Sequence, residues 1–141
     1  MSKVRLYLVR HGKTMFNTIG RAQGWSDTPL TAEGELGIHE SGLRFDRAYS
    51  SDSGRTIQTM GIILEELGLQ GKIPYRMDKR IREWCFGSFD GAYDGDLFMG
   101  VIPRVFKVDH VHQLSYAELA EGLVEVDTAG WAEGWEKLSG R

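Results

Sequence analysis

The stretch Tyr7-Leu8-Val9-Arg10-His11-Gly12-Lys13-Thr14 joins a short apolar run to three residues that are suited to contact an anion. Residues 4–9 are rich in β-branched and aromatic side chains, which favours a central, buried strand. Open α/β sheets usually bind their ligands at the carboxyl ends of strands, so the sequence predicts chemistry at residues 10–12. The simpler alternative is a strand that ends in ordinary surface residues.

Arg10, His11 and Gly12 together favour attack on a phosphoryl group. An imidazole offers a nucleophilic nitrogen near neutral pH. The neighbouring guanidinium is a planar fork that can neutralise an anion through two hydrogen bonds. Because glycine has no Cβ, we expect the backbone at Gly12 to turn sharply and to admit a bulky tetrahedral anion.

The composition indicates one domain without the basic face that nucleic-acid binding requires. A chain of 141 residues is long enough for one sizeable core and too short to expect two. Its net charge of −3 argues against a nucleic-acid partner. Cys85 is the only cysteine, which excludes an intramolecular disulfide and favours a reducing cytosol. The apolar run before Arg10 is too short for a signal peptide or a membrane span, so we expect a cytoplasmic protein without a membrane partner.

A long loop and a short helix are predicted after the first strand. Residues 12–29 contain several glycines, an asparagine and a proline, which favours a loop with a short helical turn that wraps the phosphate. Thr31 can cap a helix that Leu36 and Leu43 anchor to the sheet.

The strongest helix signal begins at Ser51. Ser51 and Asp52 suit an N-cap, and Gly68 suits a helix end. Between them, apolar residues recur at three- and four-residue spacing, namely Ile57, Met60, Leu64 and Leu67. Arg55 then falls in the first turn, where exposed N–H groups and the helix dipole also favour an anion. The alternative for Arg55 is a solvated surface side chain.

Several motifs follow one another in a fixed order. They are Arg10-His11-Gly12, then Asn17 with Gln23-Gly24-Trp25-Ser26-Asp27-Thr28-Pro29-Leu30-Thr31, then Tyr49-Ser50-Ser51-Asp52-Ser53-Gly54-Arg55-Thr56-Ile57-Gln58-Thr59, and finally Arg82-Glu83-Trp84-Cys85-Phe86-Gly87-Ser88-Phe89-Asp90-Gly91. In this order and at these separations they resemble the histidine phosphatase superfamily, also called the phosphoglycerate mutase-like family, over residues 3–91. The resemblance implies an α/β fold of three layers, α/β/α, with a mostly parallel central sheet, and a single domain over residues 1–141.

The resemblance also implies roles in catalysis. His11 is the expected nucleophile, which takes the phosphoryl group to form a phosphohistidine. Arg10 and Arg55 are expected to bind the phosphoryl oxygens, with an amide donor from Asn17. Glu83 matches the proton donor, which protonates the departing oxygen and later activates water.

Gln23 and Gly24 match positions that line the substrate site in relatives. No metal and no cofactor is implied, because two arginines, an amide and the histidine pocket replace the cation that many other phosphotransferases use.

A proton donor at neutral pH requires a carboxyl with a raised pKa. Trp84 and Phe86 are expected to help by removing water from around Glu83. Taken alone, Glu83 beside Arg82 has a plainer interpretation, which is a surface ion pair.

One part of the family pattern is missing from the sequence. Relatives carry a second histidine, usually followed by glycine, at the end of a later strand, and the sequence has no His-Gly pair besides residues 11–12. His39 is expected to be a surface or packing residue. His110 and His112 are spaced to lie on one face of a strand, which leaves a metal half-site as a minor alternative. We therefore expect a domain that is incomplete at its C-terminus, with an exposed sheet edge that either makes it poorly soluble or recruits a partner.

The later part of the chain carries weaker signals. Residues 73–81 are predicted to form a further strand. The apolar insertion over residues 89–114 is expected to form either a lid over the site or a cover on the sheet. Residues 116–138 are predicted to be helical, with Trp131 and Trp135 in core contacts.

These inferences favour a phosphatase that hydrolyses small-molecule phosphate monoesters through a phosphohistidine. A phosphoglycerate mutase-type phosphotransferase is the first alternative. A noncatalytic phospholigand-binding or scaffold remnant is the second, because the second histidine is absent. The sequence leaves a homo-oligomer open.

Overall fold

The computed structural model of the protein describes residues 3–36 and 44–141. Its helices and strands are α1 (Met15–Thr18), α2 (Ala32–Leu36), β1 (Ala48–Ser50), α3 (Gly54–Glu66), β2 (Tyr75–Met77), α4 (Ile102–Phe106), α5 (Tyr116–Val126) and α6 (Trp135–Ser139). A π-helical segment, Asp96–Val101, runs directly into α4, and short 3₁₀ turns cover Lys79–Ile81, Gly87–Phe89 and Val111–Gln113.

Two short parallel strands and the helix between them form a β-α-β unit. β1 pairs with β2 so that Ala48 lies opposite Tyr75 and Ser50 opposite Met77. Parallel strands need a crossover connection, and α3 supplies it. The predicted α/β class with a parallel sheet is confirmed, and β2 lies within the strand predicted over residues 73–81.

The helix predicted from Ser51 is confirmed as α3, with its cap two residues later. Ser53 is the extended residue before the helix, and its side chain makes no capping hydrogen bond. Ser51 instead shares a 2.8 Å hydrogen bond with the hydroxyl of Thr56. Gly68 adopts the left-handed φ of +63° that commonly follows a helix end. The cap predicted at Thr31 is also present, since Thr31 Oγ1 accepts a hydrogen bond from the Gly34 amide.

The apolar run over residues 4–9 differs from its prediction. In the described parts of the chain it forms no strand pairing, and its side chains are exposed, Val4 by 91% and Leu8 by 87%. Tyr7 packs edge-on against Phe45 with 5.3 Å between ring centroids, but a cleft of about 380 Å³ lies between residues 5–9 and α3. Residues with a high strand propensity form a strand when they can pack against neighbouring strands. Among the described residues, no strand is hydrogen-bonded to residues 4–9. The prediction of a central, buried strand is therefore wrong for this structure.

The main apolar core lies away from this cleft. Leu97, Ile102 and Leu123 are completely buried, and they form one cluster with Ala22 and Phe86. The insertion over residues 89–114 is thus helical over Asp96–Phe106 and supplies Leu97 and Ile102 to this core, packed against α5. The sequence predicts that the insertion forms either a lid over the site or a cover on the sheet. In the structure it packs against α5 instead.

Residues 127–134 interrupt the helix predicted over residues 116–138. Asp127 ends α5, and its carboxylate accepts hydrogen bonds from the backbone N–H groups of Ser88 and Ala132, both at 2.7 Å. Trp131 is 70% exposed and Trp135 is 41% exposed, so the prediction of core contacts for them is wrong. Apolar spacing alone did not reveal that the chain turns here around a carboxylate.

Some predictions fall on residues that the structure does not describe. His39 and Leu43 lie outside the described residues, and so does most of the helix predicted after Thr31. Within residues 3–36 and 44–141, no helix is both long and apolar enough to cross a membrane.

Truncating Leu123 should measure how much the core contributes to stability. Leu123→Ala leaves a cavity among Leu97 and Ile102, and we expect the free energy of unfolding to fall by about 2–5 kcal/mol. Val124→Ala, on the exposed side of the same helix, is the control and should change it by less than about 0.5 kcal/mol. Urea denaturation followed by circular dichroism measures both. Equal effects of the two variants would contradict the assignment of the core.

Asp127 should make stability depend on pH. Burial opposes its charge, but the N–H groups of Ala132, Ser88 and Ala129 together hold the pKa of this carboxyl well below its usual range. A group with a lowered folded-state pKa contributes stability that is present above about pH 4 and is lost as the pH falls.

We therefore expect Asp127→Asn to lower the free energy of unfolding by about 1–3 kcal/mol at pH 7, and by clearly less at pH 3. Asp109→Asn, at an exposed position, is the control. The measurement is urea denaturation of the three proteins at both pH values. A gap between wild type and Asp127→Asn that stays constant with pH would disprove the role of this carboxylate.

Candidate active site

His11 lies on the wall of a cleft of about 410 Å³ between the N-terminal segment and the start of α3. Arg10 also lines the cleft, and Ser51 and Thr56 face it from the other side. The carboxyl end of β1 leads directly into this wall. The cleft thus lies beside Arg10 and His11, where the sequence predicts the chemistry, but at the carboxyl end of β1 and not of a strand over residues 4–9.

The His11 ring is held in one tautomer. Its Nδ1 lies 2.8 Å from the Gly12 carbonyl oxygen, which can only accept a hydrogen bond, so Nδ1 carries the proton and Nε2 carries the lone pair. Burial lowers the pKa of His11, and the positive charges of Arg55 and Arg10 lower it further against the opposing effects of the Gly12 carbonyl and Glu83. The lowered pKa favours the neutral ring, with the lone pair on Nε2.

Gly12 is fixed against α3 by Thr59. The Gly12 amide donates to Thr59 Oγ1 at 3.0 Å, and that hydroxyl donates to the Arg55 carbonyl at 2.7 Å. A Cβ at Gly12 would lie 2.6 Å from the Gly34 carbonyl oxygen. The glycine is therefore required for close approach to α2, which corrects the expectation that it makes room for an anion. Sequence reasoning gave Thr59 no role, although its spacing of four residues from Arg55 places both on one helix face.

Arg55 is buried and directed at the loop of residues 24–27. Its Nη2 donates to the Gly24 carbonyl at 3.0 Å, and its Nη1 donates to the Ser26 carbonyl at 2.9 Å and to Asp27 at 3.2 Å. With 1% of its surface exposed, Arg55 is not the solvated side chain of the alternative interpretation. Its charge acts on His11, but its terminal nitrogens hold the loop, and its Nε has no partner among the described residues.

Gly24 packs against Asp90. It adopts a left-handed φ of +51°, and a Cβ there would lie 1.7 Å from Asp90 Oδ1. The Asp90 carboxylate accepts hydrogen bonds from the amides of Trp25 and Phe86, both at 3.0 Å, and burial raises its pKa. Gln23 is buried beside this turn and accepts a hydrogen bond from Thr28. Gln23 and Gly24 therefore shape the loop and do not line the cleft beside His11.

Asn17 and Arg10 differ in their surroundings. The side-chain oxygen of Asn17 accepts from the Thr14 amide and hydroxyl at 3.1 and 3.0 Å, which closes a capping box at the start of α1. Asn17 does not line the cleft. Arg10 is exposed, lines the cleft and acts on the charge of His11.

Glu83 is exposed and does not line the cleft, although its negative charge raises the pKa of His11. Its Oε1 accepts the Trp84 amide at 2.9 Å. Arg82 pairs with Asp52 through two hydrogen bonds of 2.5 Å, so the predicted surface ion pair between Arg82 and Glu83 is replaced by this one. Phe86 is part of the apolar core, and the expectation that it removes water from Glu83 is wrong.

The histidines of the later chain do not form a metal half-site on a strand. His110 and His112 are exposed in and beside a 3₁₀ turn. Among residues 3–36 and 44–141, no group of three side chains from histidine, cysteine, aspartate and glutamate is arranged to hold a metal ion. Of the predicted site residues, Arg10 and His11 line the cleft, whereas Arg55 and Glu83 affect His11 only through their charges. The expectation that Arg55 binds the phosphoryl oxygens is not met in this structure, because its terminal nitrogens are taken by Gly24, Ser26 and Asp27.

The sequence and the structure both have known relatives. The chain is 40% identical over 92 residues to the probable phosphoglycerate mutase GpmB of Salmonella choleraesuis (strain SC-B67), an overlap that covers 62% of this chain and 41% of that protein. The crystal structure of phosphoglycerate mutase from Bacillus anthracis str. Sterne superposes with a TM-score of 0.82 at 33% identity, covering 92% of this chain and 60% of the other.

A putative alpha-ribazole-5'-P phosphatase from Escherichia coli str. K-12 substr. MG1655 shares the fold, with a TM-score of 0.65 at 22% identity over 94% of this chain and 60% of that one. The matches thus span 41% to 60% of the length of these relatives. The sequence profile of the histidine phosphatase superfamily (branch 1) matches residues 6–97, which is more than half of the chain. On this match, on the identities and on the cleft around His11, the chain belongs to the histidine phosphatase superfamily.

Proposed function

We propose that this protein is a phosphatase that hydrolyses small-molecule phosphate monoesters through a phosphohistidine at His11. The observation that carries the proposal is the hydrogen bond from Nδ1 to the Gly12 carbonyl, because it leaves the lone pair on Nε2. The lowered pKa of His11, caused first by burial, keeps this nitrogen unprotonated at neutral pH. A neutral imidazole is the form that can act as a nucleophile.

In the first step, His11 Nε2 forms a bond to phosphorus and the bond from phosphorus to the ester oxygen breaks. Glu83 transfers its proton to the departing oxygen and becomes a carboxylate. In the second step, a water molecule attacks phosphorus and gives a proton to Glu83. The bond between Nε2 and phosphorus then breaks, which releases phosphate and restores the neutral ring and the protonated carboxyl.

Positive charge near the cleft supports this reaction. Phosphoryl oxygens keep a high negative charge through a loose transition state, and fixed cations stabilise them. We assign direct contact with these oxygens to Arg10, which is exposed at the cleft, and a nearby fixed charge to the buried Arg55. Asn17, Gln23 and Gly24 then serve to hold the loop that borders the site.

The cleft suggests the size and character of the substrate. Its volume of about 410 Å³ suits a small organic phosphate, and Val9, Met60 and Ile63 give it an apolar side. We therefore expect an ester with a compact, partly apolar leaving group. The single cysteine, Cys85, is buried as a free thiol and suits a reducing compartment, so we assign this activity to the cytoplasm.

A phosphoglycerate mutase-type phosphotransferase is the second candidate. It is favoured by the names of two relatives, the Salmonella protein and the Bacillus anthracis protein. A mutase must protect its phosphohistidine from water and return the group to an acceptor. The two candidates differ in whether the phosphoryl group leaves as inorganic phosphate or moves between two positions of phosphoglycerate.

Replacing His11 should abolish turnover. His11→Asn can still donate a hydrogen bond to the Gly12 carbonyl but has no nucleophilic ring nitrogen, so phosphate release should fall about a thousandfold or more. His112→Asn, which alters an exposed histidine, is the control and should match wild type. The measurement is phosphate release from p-nitrophenyl phosphate and from phosphoglycerate, together with acid-labile labelling of the protein by radioactive phosphate.

The outcomes separate the candidates. Release of phosphate with a label that requires His11 supports the phosphatase. Exchange between phosphoglycerate isomers that exceeds phosphate release would establish the mutase in its place. Binding of vanadate without label or turnover would show a noncatalytic phospholigand-binding protein and refute the proposal.

The charge on Arg10 should control the protonation of His11. Because the positive charge of Arg10 lowers the pKa of His11, we expect Arg10→Gln to raise that pKa. A pH titration of the His11 ring protons by NMR measures the pKa directly and needs no turnover. Arg5→Gln, on the same exposed segment, is the control and should leave the pKa unchanged. An unchanged or lower pKa in Arg10→Gln would place Arg10 outside the site.

A further inference from the structure

Three backbone carbonyls around Glu83 bind a single side chain. The guanidinium of Arg141 donates from Nη1 to the carbonyls of Arg80 and Arg82, at 2.9 and 2.7 Å, and from Nη2 to the carbonyl of Glu83 at 3.1 Å. These carbonyls belong to a 3₁₀ turn and the extended residues after it, where no helix or sheet fixes the chain. One planar fork therefore sets the path of the backbone that carries Glu83.

Arg141 is itself held by a buried carboxylate. Glu133 is 1% exposed, and its Oε2 lies 3.0 Å from Nη2 of Arg141. Oε2 also accepts the Cys85 amide at 3.1 Å, and the Glu133 amide donates to the Cys85 carbonyl at the same distance. Glu133 is thus anchored at Cys85, two residues after Glu83. Arg141 and Glu133 together therefore hold the segment of residues 80–85 at both of its ends.

The contacts fix the main chain of Glu83 but leave its carboxyl exposed. The Glu83 carbonyl accepts a second hydrogen bond, from Trp25 Nε1 at 2.9 Å. The carboxyl is held only by the adjacent Trp84 amide. A side chain with a fixed backbone and an exposed end can reach only a limited volume. Ile81, two residues before Glu83, lines the same cleft as His11, and the negative charge of Glu83 raises the pKa of His11.

We propose that Arg141, held by Glu133, is a positioning residue that keeps the Glu83 carboxyl beside the phosphoryl group on His11. The proposal rests on the proposed function, in which Glu83 protonates the departing oxygen. Arg141 touches neither the substrate nor the reacting atoms. Lysine could not replace it, because an ammonium group does not span three carbonyls and a carboxylate with a planar fork.

The first test uses leaving groups that differ in their need for a proton. An alkyl phosphate requires protonation of its departing oxygen, whereas p-nitrophenolate departs readily without it. We expect Arg141→Ala to lower kcat/KM about tenfold to a hundredfold for the alkyl ester, and less than about twofold for p-nitrophenyl phosphate. Arg104→Ala, an exposed arginine on α4, is the control and should change neither. Equal losses on both esters would overturn the proposal, because a general loss of structure has that effect.

A double-mutant comparison shows whether Arg141 acts through Glu83. Glu83→Gln should produce the same selectivity between the esters, with a larger loss on the alkyl ester. If Arg141 acts only through Glu83, Arg141→Ala should have no further effect in the Glu83→Gln background. Additive losses would show that Arg141 acts by another route and would overturn the proposal.

A measurement that needs no turnover separates this proposal from the proposed function. The negative charge of Glu83 raises the pKa of His11, so both Glu83→Gln and Arg141→Ala should lower the pKa observed by NMR titration. If Arg141→Ala acted only by removing the positive charge of Arg141, the His11 pKa would instead rise. If the wild-type protein hydrolyses no ester, the proposed function fails and this titration alone decides the position of Glu83. An unchanged or higher His11 pKa in Arg141→Ala would overturn the positioning role.

Glu133→Gln provides a second variant if Arg141→Ala does not fold. The amide keeps an oxygen for the Cys85 N–H group but removes the charge that holds Arg141. We expect kcat/KM for the alkyl ester to fall less than in Arg141→Ala, with the same selectivity between the two esters. The His11 pKa should also be lower than in the wild-type protein. Folding of each variant is checked by circular dichroism, and a folded Glu133→Gln with wild-type values in both measurements would contradict the proposal.

Discussion

The buried guanidinium of Arg55 is the interaction on which the candidate site depends. A charge removed from water is costly unless it is paired and hydrogen-bonded, and Arg55 meets this requirement with Asp27 and the carbonyls of Gly24 and Ser26. The loop of residues 24–27 must therefore stay closed on the first turn of α3. Through Thr59, the same helix also fixes Gly12 and thereby the ring next to it. One helix thus sets the relative positions of the loop and of His11.

A second arginine repeats this arrangement on the other side of the site. Arg141 binds the carbonyls around Glu83 as Arg55 binds those around Gly24, and each is paired with one carboxylate. Arginine suits this task because its planar donors can satisfy several carbonyls that belong to no helix or sheet. These irregular segments therefore owe their shape to side chains. Substitution of either arginine would remove one donor from a carboxylate and one from each of several carbonyls.

The features predicted from the sequence are those that depend on local interactions. Spacing and capping within a few residues predict α3, the end of this helix at Gly68, and the strand at β2. All three are present. The run over residues 4–9 was predicted wrongly because burial of a strand depends on distant neighbours. The motifs selected His11 and Arg55, but the partners of Arg55 lie about thirty residues away in the sequence and could not be read from it. The same holds for Arg141, whose carbonyl partners lie some sixty residues away.

The exposure of Glu83 changes the explanation of how it would donate a proton. The sequence suggested that aromatic neighbours keep water away from it, but Phe86 belongs to the core and Glu83 faces solvent. An apolar pocket around the carboxyl therefore cannot be the basis of the role proposed for Glu83. The described residues instead fix its main chain, because the Glu83 carbonyl accepts hydrogen bonds from Trp25 and Arg141. The proposed role of Glu83 thus depends on the position of its carboxyl, and two side chains from distant parts of the sequence hold the backbone that carries it.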